Sequence, residues 1–408
     1  MNKYVMGLKE YIKDKKVQIV RKNIARKFGL VFTGEEKKQN ERLLKRYGHI
    51  FNEIKKEFDE YSDERIDIEN LNLNGHVHFR KKELEDKVLK IIEQDEEILL
   101  IQSDLTHETI GHMACNLNLE RVVMRALDNK QASVIQDCMR YNIGMRAVDK
   151  GLKECALKAL DNNEAAIQIN YSKENIGMMA AERKMEEVVL KALDNPVAST
   201  QQSDTLLYNM GMLAAKNELE KATLKALENS EACIQQDYQG LNIGHWSAQL
   251  SLVEATEKAL DNPIMSTQQT VRGKNIGMLC VQFYPLNKLL SKALDNKEAS
   301  LQQDTDGFNI GMWCASNGVK EATLKALDNT QASLQQNTRG KNIGMLCATT
   351  FFMEGALKAV ENVEAVKQTD LNGNTILTLS DKANLDEVRE KWESMKDERV
   401  SDSSEMTE

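Results

Sequence analysis

The sequence predicts an all-α chain, a helical repeat solenoid of about nine to ten units of 33 residues. Three observations predict this. The string Asn-Ile-Gly-Met opens at Asn142, Asn175, Asn275, Asn309 and Asn342, and its variants open at Thr109, Asn209, Asn242 and Thr375. Successive starts therefore lie 33 or 34 residues apart, a period that marks stacked repeats. Within one unit, apolar positions such as Val319, Ala322, Thr323, Ala326 and Leu327 recur at spacings of three and four, which puts them on one helical face. The composition agrees: aromatics are 5% and Pro only three residues, while Ala, Leu, Lys, Glu and Met abound.

In chain order, residues 1–70 predict a basic helical N-terminal region. Residues 1–46 hold fourteen Lys or Arg against five Asp or Glu, although the whole chain carries −9. Such a helical arm either caps the stack, burying Tyr11, Ile12, Val17, Val20, Ile24, Phe28 and Leu30, or contacts a polyanion. Residues 71–380 follow as the repeats. Each unit predicts two short antiparallel helices and a turn-rich connector, too small to bury its own apolar face and stable only when stacked. The second helix shows Glu-to-Lys spacings of four at Glu154/Lys158, Glu187/Lys191, Glu254/Lys258, Glu321/Lys325 and Glu354/Lys358, the mark of a solvated face. Its end reads Ala-Leu-Asp-Asn, as at Asp328-Asn329, with Asn expected in a left-handed exit. A capping helix over residues 381–399 and an acidic disordered tail over 400–408 complete the chain.

The glycine of the opening string stands where a helix loses about 0.5–1 kcal/mol against Ala. Its recurrence at Gly111, Gly144, Gly177, Gly211, Gly244, Gly277, Gly311 and Gly344 predicts close approach of neighbouring units, a joint and not a binding site. The paired glutamines, such as Gln268-Gln269 and Gln302-Gln303, predict polar mortar between units.

Catalytic and cofactor chemistry finds little support. His107 and His112 in "HETIGH" are five apart, so on a helix they would diverge by about 140° and share no metal. His76 and His78 lack a third ligand nearby. No nucleophile stands beside a base, and no glycine-rich phosphate loop is present, so no enzyme, cofactor or metal is expected. Seven unpaired cysteines, Cys280, Cys314 and Cys347 among them on apolar helix faces, suit a reducing, cytoplasmic setting. No apolar run is long enough to span a bilayer, and residues 1–30 lack a signal-peptide core. Export as an effector stays open.

The units resemble the ankyrin repeat family. In residues 370–380, "DLNGNTILTLS", an Asn-Gly turn precedes Thr375, Ile376, Leu377 and Thr378, where that family places Thr-Pro-Leu-His; elsewhere Asn-Ile-Gly-Met stands there, and His survives as His112 and His245. The resemblance implies a concave surface of first helices and connector tips that binds another protein. Candidate partner contacts are the residues after the opening string, Arg146, Met179, Trp246 and Trp313, and the tip residues Tyr141, Tyr171, Tyr208, Tyr238, Arg272, Phe308 and Arg339. The expected function is a non-catalytic protein-interaction scaffold. The alternatives are an adaptor held to nucleic acid or an anionic membrane through residues 1–46, which is not favoured, and an inhibitor that blocks an enzyme.

Overall fold

The computed structural model describes residues 34–70, 74–283 and 285–405, and those residues form helices joined by turns and extended connectors. The expected burial of Tyr11 through Leu30 lies outside them. The chain divides into two compact units, Met1–Thr205 and Leu206–Glu408.

In the first unit, Gly34–Asn70 buries Tyr47, Phe51, Ile54, Phe58 and Tyr61 at alternating spacings of four and three, a seam that faces Asn74–Gln94 and its buried Leu84, Val88 and Ile92. This pair covers the first repeat: Gly34–Asn70 lies on Ile110–Asn116, and Asn74–Gln94 on Glu120–Asp128. The Tyr47 hydroxyl closes the hairpin by donating to Asp95 and Glu97. Behind it stack the first helices Ile110–Asn116, Ile143–Asp149 and Ile176–Glu182, with second helices Glu120–Asp128, Lys153–Ala159 and Glu186–Ala192 stacked alongside.

The second unit repeats the pattern. Its first helices are Met210–Lys216, Ile243–Gln249, Ile276–Phe283, Ile310–Ser316, Ile343–Thr349 and Ile376–Lys382, and each packs on the next and on its own second helix. A helix of seven or eight residues is too short to persist alone. These survive because nearly every side chain is interior, as in Ile310–Ser316, where Ile310, Gly311, Met312, Cys314 and Ala315 are all buried. The terminal helix Asp386–Glu405 packs on the last repeat and runs past residue 399, where the sequence ends it.

The opening string supplies the joints. Asn309 Oδ1 accepts from Met312 N (2.8 Å) at the cap, while its Nδ2 donates to Ala332 O (3.0 Å) and to Gln335 Oε1 (2.8 Å). The Gln335 amide then donates back to Leu301 O of the preceding repeat (2.6 Å). Asn142 and Gln168 make the same set in the first unit, ending on Val134 O (2.7 Å). A Cβ on Gly311 would stand 2.6 Å from both Ala326 Cβ of its own repeat and Ile343 Cδ1 of the next. The glycine is therefore demanded by close approach.

Two expectations are corrected. Each repeat before the last holds a third helix, such as Asn163–Ile167 or Thr330–Leu334, opened by the Asn placed in a left-handed exit. That Asn is extended (Asn329, φ −87°) and its side chain caps the helix it precedes. Its Nδ2 also reaches the previous repeat, as from Asn329 to Ser300 Oγ (3.1 Å) and Asn162 to Ser133 Oγ (2.7 Å). The second-helix lysines likewise bridge between repeats and not to the Glu one turn before. Lys158 meets Asp128 (3.1 Å), Lys191 Asp161 (2.6 Å), Lys258 Glu228 (3.1 Å), Lys325 Asp295 (2.7 Å) and Lys358 Asp328 (2.5 Å). Stacking brings the acid at one helix end beside the neighbour's lysine. Such exposed pairs contribute about 0.2–1 kcal/mol each.

Gly311→Ala should lower stability by about 1–3 kcal/mol through overpacking, although Ala is the better helix former. Urea unfolding measures it, and a gain would contradict the close-approach account.

Candidate partner-binding surface

Each connector begins with an Asp, Asn, Ser or Thr that organises the tip. Asp237 Oδ1 accepts from Gln239 N (2.8 Å) and Leu241 N (2.9 Å), and Asp304 Oδ1 from Asp306 N (3.0 Å) and Phe308 N (2.9 Å). Asp137 and Asn170 do the same in the first unit. The remaining end of that side chain meets the residue nine positions on, the one just after the opening string. Asp137 takes Arg146 Nε (3.0 Å), Asp237 takes Trp246 Nε1 (3.1 Å) and Asp304 takes Trp313 Nε1 (2.9 Å), while Asn170 turns its amide to the Met179 sulfur (3.9 Å). Leu279 and Leu346, with no donor to offer, follow Thr270 and Asn337.

This pairing sorts the expected contact residues. Arg146, Met179 and Tyr208 are buried, 2%, 7% and 7% exposed, and leave the candidate surface. An Arg beside an Asp in the interior is paired because either charge alone would be heavily penalised there. Trp246 and Trp313 are half-buried, edge-on to Tyr208 (5.8 Å between centroids) and tilted against half-buried Phe308 (5.3 Å). Lys274 covers Trp313 (4.4 Å), and burial holds its ammonium below the usual lysine value. Tyr141 is half-buried under Arg146 (4.8 Å), and Tyr171 is exposed beside Arg140 (5.7 Å). Tyr238, Arg272 and Arg339 are exposed at tips.

In the second unit the tips form a bonded row. Val271 N donates to Gln239 O (2.9 Å), Thr305 N to Arg272 O (3.0 Å), Thr338 N to Asp306 O (3.0 Å) and Leu371 N to Arg339 O (3.1 Å). Behind each rung, the second Gln of each pair locks the turn, as Gln303 Nε2 donates to Gly307 O (2.5 Å) and to Gln336 O (3.1 Å). Each rung is thus bonded backbone to backbone, and side chains project beside it. Tyr238, Val271 and Leu371 are 53%, 70% and 78% exposed, and Arg272, Asp306 and Arg339 stand beside them. Val271, Leu371 and Asp306 are additions, since residue type alone had favoured aromatics and Arg; their signal is position, one or two residues after the organising side chain. In the first unit, by contrast, the tip charges Lys173 and Asp204 neutralise each other (2.5 Å).

Chemical centres are sparse. His107 is left-handed (φ 54°) ahead of the helix that contains His112, so the two share no helical face. His112 Nδ1 closes onto Thr109, and its Nε2 contacts Tyr141 O (2.8 Å) at the end of its own connector. Burial lowers the pKa of His112, and that of His245 to about 4. All seven cysteines are buried, and burial raises Cys280, Cys314 and Cys347 to about 12. Among the described residues no group of three or more His, Cys, Asp and Glu is placed to hold a metal, and no helix is long and apolar enough to cross a membrane. A shallow hollow on the second-helix face is bridged by Lys288–Glu257 and Lys292–Asp261, both 2.7 Å, which makes it part of the outer charge network. No family model matches the chain, and no curated protein matches it.

His245 fixes a pH dependence. Its folded pKa, about 4, lies below the unfolded value near 6.5, so the unfolded chain binds the proton first as pH falls. The stability it contributes is complete above pH 6.5 and is lost toward pH 4, roughly 3 kcal/mol in total. His245→Met restores Asn-Ile-Gly-Met and should flatten stability against pH over that window; an unchanged slope would contradict the assignment. Trp313→Ala should lower stability by about 2 kcal/mol or more, because it opens a cavity and removes the donor to Asp304. A melting curve identical to wild type would return Trp313 to the binding surface.

Proposed function

We propose that this chain is a non-catalytic scaffold of ankyrin type that holds a partner protein along its connector tips. One observation carries the proposal. In the second unit the tips are joined backbone to backbone in a row, yet they expose Tyr238 and Val271 toward one end, Leu371 at the other, and the charged Arg272, Asp306 and Arg339 along the row. Exposed apolar side chains set among charged ones are a feature of interaction sites. The ankyrin assignment is supported by the period, the stacked helix pairs and the closure of His112 onto Thr109 with a further contact to the end of its connector. The seven cysteines, all buried as small core residues, suit a reducing intracellular compartment.

The test is affinity capture with quantitative mass spectrometry, comparing the full chain with a Tyr238→Ala, Val271→Ala, Leu371→Ala variant. The variant should lose its partner by tenfold or more, with its melting temperature unchanged, since all three side chains are exposed. Equal recovery from both proteins would overturn the placement of the surface.

A further inference from the structure

Three successive repeats put a charged side chain at the same rung of the tip row. Arg272, Asp306 and Arg339 are each the residue whose carbonyl accepts the next tip's N–H, and each is exposed. Their side chains are not spent elsewhere: among the described residues none of the three forms an ion pair. The rungs on either side, Gln239 and Asn372, are neutral. The row therefore reads positive, negative, positive, with defined ends.

We infer that the partner presents an extended peptide segment whose side chains run acidic, basic, acidic at intervals of about three residues. This rests on the scaffold function proposed above. The interval follows from geometry: stacked helices lie about 8–10 Å apart, and a chain in polyproline II conformation advances about 3.1 Å per residue and returns every third side chain to the same face. Arg272 and Arg339 match a carboxylate with their forked donors, and Asp306 takes a Lys or Arg between them. The central Asp306 sets the row against a uniform polyanion such as nucleic acid, and the chain's net charge of −9 adds to that repulsion.

A random peptide library displayed against the immobilised full chain tests the inference. The wild type should enrich peptides with Asp or Glu, two residues, Lys or Arg, two residues, Asp or Glu. A variant with Arg272→Glu, Asp306→Lys and Arg339→Glu should enrich the opposite order, and the best wild-type peptide should bind it at least tenfold more weakly, a difference that shrinks as salt rises. Circular dichroism and melting check that variant. Asp306→Asn serves if it misfolds, because the Asp306 backbone N–H still bonds Asp304; that change alone should remove the preference for a central basic residue. Enrichment of peptides with no charge order, or of the same order by both proteins, would overturn the inference and leave the scaffold function standing. Enrichment of nothing by either would overturn both.

Discussion

The structure depends on one buried amide. In the seven repeats that open on Asn that residue is fully enclosed, and Asn309 satisfies its whole side chain with protein partners: one bond to its own helix cap and two from Nδ2 to the third helix and the glutamine behind it. A buried amide without those partners would carry a penalty of about 1–3 kcal/mol per missing bond, so each repeat holds its shape only when its connector returns to the same place. The glutamine passes the constraint on by donating to the preceding repeat. Beside it, Gly311 lets the helix approach Ala326 and Ile343 at a distance no side chain permits. Amide and glycine act together: one fixes register and the other fixes separation.

With the joints so constrained, variation between repeats divides into two kinds. At the position after the opening string it is matched internally, because the residue there answers the connector side chain nine positions earlier. Asp137, Asp237 and Asp304 stand opposite Arg146, Trp246 and Trp313, each supplying an N–H. Variation of this kind reflects a local choice of donor and acceptor. At the second-unit tips Arg272, Asp306 and Arg339 have no such answer, since the backbone bonds each rung to the next and these side chains are exposed.

The sequence made the period, the helical faces and the purpose of the glycines legible because each follows from a local rule. Periodicity needs only spacing, and a glycine retained against helix propensity implies a missing volume. What stayed hidden involves partners one repeat away. Lys325 and Glu321 look paired at a spacing of four, yet Lys325 meets Asp295 thirty residues back, a contact that a single helix does not encode. The Asn of Leu-Asp-Asn fits both a helix exit and a helix cap by type, and the extended backbone of Asn329 decides for the cap. The candidate surface was half legible: Tyr238, Arg272 and Arg339 were found by residue type, whereas Arg146 and Met179 have the same credentials and lie inside. Burial of a variable position depends on its neighbour in the connector, and that pairing appears only in three dimensions.

The central claim is that the opening Asn is an interior clamp and more than a helix cap. Asn309→Asp separates the two roles. Asp caps a helix as well as Asn does, but it has no Nδ2 to donate to Ala332 O and Gln335 Oε1, and it sets a carboxylate against both oxygens. Urea unfolding of this variant at neutral pH should show a loss of about 3 kcal/mol or more. A stability equal to wild type would mean that Asn309 serves only as a cap, and the account of how the repeats are held in register would fail.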